Sequence, residues 1–171
     1  MKVIENQTFA KERDFYGSES VKLINCTFKG IEDGESAFKD CSNLHSIQLP
    51  ITIKQFPIFA GCINLIEFKF NKTYPNQSIP DYMFHGCKSL QHFTIPEGIR
   101  RIGNSSFESS GLEEIDIPEG VDSIGEEAFA DCKLQRINLP SSLKIIKYGA
   151  FRDNTILKTV HLPEGLEKIE K

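Results

Sequence analysis

Pro118 to Pro140 reads PEGVDSIGEEAFADCKLQRINLP, and the order of its apolar residues returns along most of the chain. Phe129 has counterparts at Phe38, Phe59, Phe84, Phe107 and Phe151, separated in chain order by 21, 25, 23, 22 and 22 residues. Three residues after each Phe stands Cys41, Cys62, Cys87, Ser110, Cys132 or Asn154, and five or six after it Leu44, Leu65, Leu90, Leu112, Leu134 or Leu157. Ile47, Phe68, Phe93, Ile115, Ile137 and Val160 follow three further on, and Leu49, Phe70, Ile95, Ile117, Leu139 and Leu162 two after those. A period of this length marks a solenoid, because one short coil cannot bury its own apolar face and must share a core with stacked neighbours.

Each part of the unit has a local reading. Leu-x-x-Ile-x-Leu ends in an apolar–polar alternation, which sets its last two apolar side chains on one face of an extended strand. Proline then removes a backbone donor and stops the ladder, and Glu97-Gly98, Glu119-Gly120 and Glu164-Gly165 supply a turn. Ile-Gly-x-x-Ala-Phe is too short for a full helix, and it predicts a single helical or 3-10 turn that drops Phe into the core. The expected fold is a β-rich α/β solenoid, an array of about six coils over residues 34–171 with one parallel strand each and parallel pairing at about 4.8 Å. Its last coil, PEGLEKIEK from Pro163 to Lys171, is incomplete and is expected to fray. Residues 1–33 fall outside the period and are expected to form an irregular β cap, with Val21, Leu23, Cys26 and Phe28 covering the first regular coil.

The regular unit resembles the BspA-like class of leucine-rich repeats, through Ile-Pro-x-Gly-Val-x-x-Ile-Gly-x-x-Ala-Phe-x-x-Cys-x-x-Leu-x-x-Ile-x-Leu-Pro repeated from about Gly34 to Lys171. Cys stands before the strand instead of after it, which the resemblance explains as a feature of this class. The resemblance implies a binding module, since members of the class look like surface or secreted proteins that engage host or matrix proteins. It transfers no binding residue, because the shared motif consists of core positions. The stretch up to about residue 33 resembles, more loosely, a bacterial family of unassigned function built from short β-coils.

Composition narrows the function classes. The formal charge of -4 gives no basic excess to neutralise phosphates, so a nucleic-acid partner is not expected. The N-terminus MKVIENQTFAKERDF has no apolar signal core, and no stretch approaches the length of a membrane span. As it stands the chain therefore reads as cytoplasmic, and as cell-surface or secreted if it is a segment of a longer parent of the resembled kind. With a signal peptide, Asn6, Asn25, Asn71, Asn76 and Asn104 would lie in glycosylation sequons. The cysteines form no CxxC pair, and four of the five share one slot of the repeat, which predicts buried, reduced, unreactive thiols.

Chemistry-bearing constellations are few. There is no nucleophile elbow, no phosphate-cradling glycine loop, and His45, His85, His92 and His161 fall on different coils and slots. An enzyme is not expected, and neither a cofactor nor a metal is expected. The outward strand positions should stack into two rows on a concave face: Ser46, Glu67, His92, Glu114, Arg136 and Thr159, and beside them Gln48, Lys69, Thr94, Asp116, Asn138 and His161. Glu67, His92 and Glu114 could be read as a divalent-metal or acid–base site, against the plainer reading of a solvated ladder with Glu114 paired to Arg136. The two rows are the candidate surface for another protein, and the loop from Asn71 to Pro80 with Tyr74 is the second. A monomer is expected, with end-to-end dimerisation as the alternative. The competing functions are a structural, self-assembling solenoid and, behind it, a metal-binding or enzymatic protein.

Overall fold

The computed structural model describes residues 2–5, 8–9, 20–24, 27–28, 38–48, 59–69 and 77–170. Cys26, Leu49, Phe70 and the candidate loop residues Asn71 to Asn76 lie outside them, as does most of the expected cap. The chain winds into parallel coils as the period requires. Strands β1 (Lys2–Glu5), β3 (Ser20–Ile24), β5 (Ser46–Gln48) and β6 (Glu67–Lys69) form one parallel sheet in that order. The register runs Val21 to Ile47 to Phe68, so the N-terminal strands continue the ladder of the regular coils. Short strands β2 (Thr8–Phe9) and β4 (Thr27–Phe28) pair beside them.

The regular coils carry a second ladder beyond the one the alternation predicts. The residue pairs Ser78–Ile79 (β7), Arg101–Ile102 (β8), Ser123–Ile124 (β10), Ile145–Ile146 (β12) and Lys168–Ile169 (β13) align in one five-stranded parallel sheet. The main ladder continues as Glu114–Asp116 (β9) and Arg136–Asn138 (β11). Between the two ladders a Pro-Glu-Gly turn closes by hydrogen bonding from Val121 N–H to Pro118 O, and Gly120 takes a φ of 97° that a side chain would resist. The last half-coil is not frayed. Lys168 and Ile169 pair with β12, and Glu167 and Glu170 N–H donate to Lys144 and Ile146 carbonyls.

The expected helical or 3-10 turn is absent, and among the described residues no segment is helical. Backbone bonding around Phe107 shows why. Ser105, Phe107 and Ser109 N–H donate across to Glu126, Ala128 and Ala130 carbonyls at 2.8–2.9 Å, while Glu108 and Ser110 N–H fold back to carbonyls three residues earlier. Alternate donors thus leave for the next coil, and a helix would need all of them along its own axis. The residues two before Phe84, Phe107, Phe129 and Phe151 accordingly take left-handed φ (Tyr82, Ser105, Glu127 and Gly149), as do those two after all six repeat phenylalanines (Asp40, Gly61, Gly86, Ser109, Asp131 and Asp153). Asp and Gly dominate the second set because they tolerate that conformation.

The core is a column of phenylalanines. Phe38, Phe59, Phe84, Phe107 and Phe129 are fully buried, with consecutive ring centroids 4.8, 5.7, 5.3 and 5.2 Å apart, and Phe151 continues the stack at 5.9 Å. Phe68 and Phe93 begin a second aromatic row against it, with Phe68 edge-on to Phe59 and Phe84. Ser106 sits in this core in the slot that Ala128 and Ala150 fill in the next coils, and its buried hydroxyl has no hydrogen-bond partner. A buried hydroxyl without a partner costs about 1–3 kcal/mol, so Ser106→Ala is expected to raise the urea midpoint by the equivalent of about 1 kcal/mol.

The cysteine slot forms a buried hydrogen-bond ladder. The thiols of Cys62, Cys87 and Cys132 donate to the Phe38, Phe59 and Phe107 carbonyls at 2.9, 3.2 and 3.0 Å, and Asn154 Nδ2 donates to Phe129 O at 2.7 Å in the same slot. A small donor is what the slot requires. Burial pushes the Cys132 thiol from the usual 9.0 up to about 11, and burial raises Cys62 and Cys87 well above the ordinary thiol range. These thiols are expected to resist labelling until denaturant is added. The unfolded chain gives up its thiol protons first. This contribution to stability is therefore complete below pH 9.0 and falls as pH rises from there towards about 11, which alkaline unfolding curves would show.

Candidate functional site

Strand pleating puts alternate side chains on opposite faces, and the main ladder obeys it. Ile47, Phe93, Ile115 and Ile137 are buried, while Glu67, Lys69, His92, Thr94, Glu114, Asp116, Arg136, Asn138, Thr159 and His161 are exposed and Ser46 is half-buried. Backbone register sets Ser46 beside Glu67, Gln48 beside Lys69, Glu114 beside Arg136, and Asp116 beside Asn138. The Gln48 side chain lies outside the described residues. His92–Thr94 and Thr159–His161 occupy the corresponding positions of their coils without belonging to a strand.

In the C-terminal half of this face one guanidinium bridges two carboxylates. Arg136 reaches Glu114 Oε2 at 3.0 Å through one guanidinium nitrogen and Asp116 Oδ1 at 2.8 Å through another, and Asn138 Nδ2 donates to the same Asp116 oxygen at 2.6 Å. The hydrogen bonds to Glu114 and then Asp116 hold the Arg136 guanidinium above its ordinary value. On the other side Lys69 Nζ lies 2.6 Å from Glu67, and His92 Nδ1 stands 4.0 Å from Glu114. Both carboxylates of the sharper reading are thus taken up by cations. Among the described residues, no group of three or more His, Cys, Asp and Glu side chains is placed to hold a metal ion.

The other histidines are dispersed. His45 Nδ1 bonds to Asn43 O at 2.8 Å, and His85 lies 3.4 Å from Glu108 on the turn side of the coils. Of the sequon asparagines only Asn104 is described, and its amide is engaged: Oδ1 accepts from Glu126 N–H at 3.0 Å. Among the described residues no helix is long and apolar enough to cross a membrane.

One feature of the face escaped the repeat pattern. Residues Gln91 to Pro96 join neither β6 nor β9 as a strand, and at this break an open crevice of about 500 Å³ is lined by Ile66, Glu67, Phe68, Lys69, His92, Phe93, Thr94 and Pro96. Ile66 at its rim is 59% exposed, and Phe68 is only partly buried. A signal was present in the sequence. The position after the repeat leucine is His45, Gln91, Glu113, Gln135 and Lys158 in the other coils, and only here is it a large aliphatic.

Residues 77–171 match the family model described as the BspA type leucine-rich repeat region, in six copies, and residues 2–75 match a family described as a protein of unknown function (DUF3737). No curated protein matches the chain. It is similar to a leucine-rich repeat protein from Bacteroides ovatus at 28% identity, with a TM-score of 0.64 over 78% of this chain and 41% of that one. It is also similar to the T. pallidum leucine-rich repeat protein at 26% identity, with a TM-score of 0.70 over 95% of this chain and 76% of that one. The chain thus spans well under half the length of the Bacteroides ovatus protein.

Proposed function

Because the chain belongs to the BspA-type leucine-rich-repeat family, we propose that it is a non-enzymatic protein-binding module of adhesin-like kind, and that it binds through the exposed rows of its strand face. The observation that carries this reading is the unbroken exposure of polar side chains from Glu67 to His161 along stacked coils, a surface that repeats present to extended partners. Arg136 ties Glu114 and Asp116 of the neighbouring coil, and Lys69 pairs with Glu67 on its own strand, so the face offers held polar groups to a partner. The test is affinity capture with the whole chain, the triple variant Glu114→Lys, Asp116→Lys, Arg136→Glu, and a turn-side control, Glu126→Gln. A partner held by the parent and the control but lost by the triple variant is expected. Equal retention by all three would remove the strand face from the reading.

A self-assembling module is the second reading, favoured by one observation. The last described coils leave Leu162 and Ile169 53% and 50% exposed, where Ile117 and Ile124 in inner coils are buried. Exposed core positions beside a strand edge favour association. Light scattering over a concentration series separates a monomer from an end-to-end dimer, and Ile169→Lys would dissolve the dimer.

A further inference from the structure

We propose that the coil of Phe59 and the coil of Phe84 meet at a hinge, about which the solenoid bends so as to open and close its strand face. Several observations fall on this one junction. On the turn side the two coils are tied: Phe59 and Gly61 N–H donate to the Met83 and His85 carbonyls at 2.7 and 2.9 Å, and the Cys87 thiol donates to Phe59 O at 3.2 Å. On the strand face they part. Among the described residues β6 is the last strand of the four-stranded sheet and β9 and β11 form a separate one, and the crevice of about 500 Å³ stands between Ile66–Lys69 and His92–Thr94. The phenylalanine column follows the same parting, since Phe59 and Phe84 stand 5.7 Å apart while the pairs on either side, Phe38–Phe59 and Phe84–Phe107, stand at 4.8 and 5.3 Å. The two family matches meet here as well, one ending at residue 75 and the other beginning at residue 77.

Glycine occupies the tied edge. Gly61 and Gly86 take the left-handed slot two after Phe, which Asp40, Ser109, Asp131 and Asp153 fill in the other coils, so this junction alone has glycine on both of its sides. The two face one another, because a Cβ built at Gly86 would meet Gly61 N and Cα at 3.8 and 3.9 Å. Two coils further on the same slot is locked by side chains, with Ser109 Oγ donating to Asp131 Oδ2 at 2.9 Å. Glycine backbone changes φ and ψ with the least steric resistance, and hinges are built from a few residues that absorb such changes. In a solenoid each coil touches only its neighbours, so a junction tied along one edge bends before junctions that are also paired along their strands. Bending about the Gly61–Gly86 edge moves Glu67 and Lys69 relative to His92 and Thr94, and so sets the curvature of the strand rows.

The test measures backbone amide residual dipolar couplings of the whole chain in a dilute alignment medium, with residues 38–69 and 101–169 fitted separately. All parts of a rigid body share one magnitude of alignment, whatever their orientation. Magnitudes that differ by about 1.5-fold or more between the two blocks are expected, and Gly86→Asp, which installs the residue of the Asp131 and Asp153 slots, is expected to bring them together. Gly86→Asn, which tolerates the same φ, takes its place if the Asp variant does not fold. Equal magnitudes in the parent chain would overturn the hinge. A difference of the same size between residues 101–138 and 139–169 would also overturn it, by making flexing a property of every junction. Unequal magnitudes that a folded Gly86 variant leaves unchanged would remove the glycine edge as the axis, and the proposal with it.

Discussion

Replacing Phe129 by alanine is expected to destabilise the chain by about 3–5 kcal/mol, the range for truncating a buried aromatic. The ring is fully buried, stacked on Phe107 with centroids 5.2 Å apart and an interplanar angle of 5°, and continued by Phe151 at 5.9 Å. Its neighbours cannot close the gap. Phe129 N–H and O are tied to Ala150 O and Asn154 Nδ2, so the backbones of adjacent coils are held at strand spacing while the cavity stays open. Urea unfolding reads the loss, and because each coil contacts only its neighbours, amide exchange should show it first in the coils of Phe107 and Phe151. A loss below about 1 kcal/mol would mean that the column is not the core.

Gly125→Ala is expected to cost about 3 kcal/mol through overpacking, although it adds a single methyl group. A Cβ built there would stand 2.6 Å from Gly103 C and 2.7 Å from Asn104 N, both backbone atoms. Nor can that backbone yield locally. Gly103 lies as tightly against Pro80 and Asp81, and Gly125 N–H is hydrogen-bonded to Ile102 O at 2.9 Å. The next coil has Lys147 in the same slot, so the restriction belongs to the two glycine coils and not to the fold in general. Thermal or urea unfolding of Gly125→Ala beside Lys147→Gly checks this. The second change is expected to be mild, and equal losses from both would show that the slot has no special closeness at Gly125.

Several features of the fold follow from chemistry that reads directly from residue order. The period of Phe129 and its counterparts required stacked coils, because no single coil could bury Phe, Cys, Leu and Ile together. The alternation in Leu-x-x-Ile-x-Leu was enough to sort Ile115 from Glu114 and Asp116, and the shared slot of Cys41, Cys62, Cys87 and Cys132 was enough to make them core thiols. The pairing of Glu114 with Arg136 followed from the register alone.

Tertiary structure decided what depends on where backbone donors go. Ser105, Phe107 and Ser109 could bond along their own segment or across to the next coil, and only stacking offers the second choice; that is why the expected helical turn became an alternation of left-handed residues and why a second ladder formed at Ile102, Ile124 and Ile146. The Asp and Gly residues two positions after five of the six repeat phenylalanines carried that signal, legible only once the left-handed positions were known. Stacking also ordered Lys168 and Ile169 onto β12, although the sequence of the last half-coil stops short of its own Phe. The crevice at Phe68 belongs to the same class. Ile66 marked its place in the sequence, but whether two coils pair or part at Gln91–Pro96 depends on the packing of Phe68 and Phe93 against the phenylalanine column, a long-range matter that residue order leaves open.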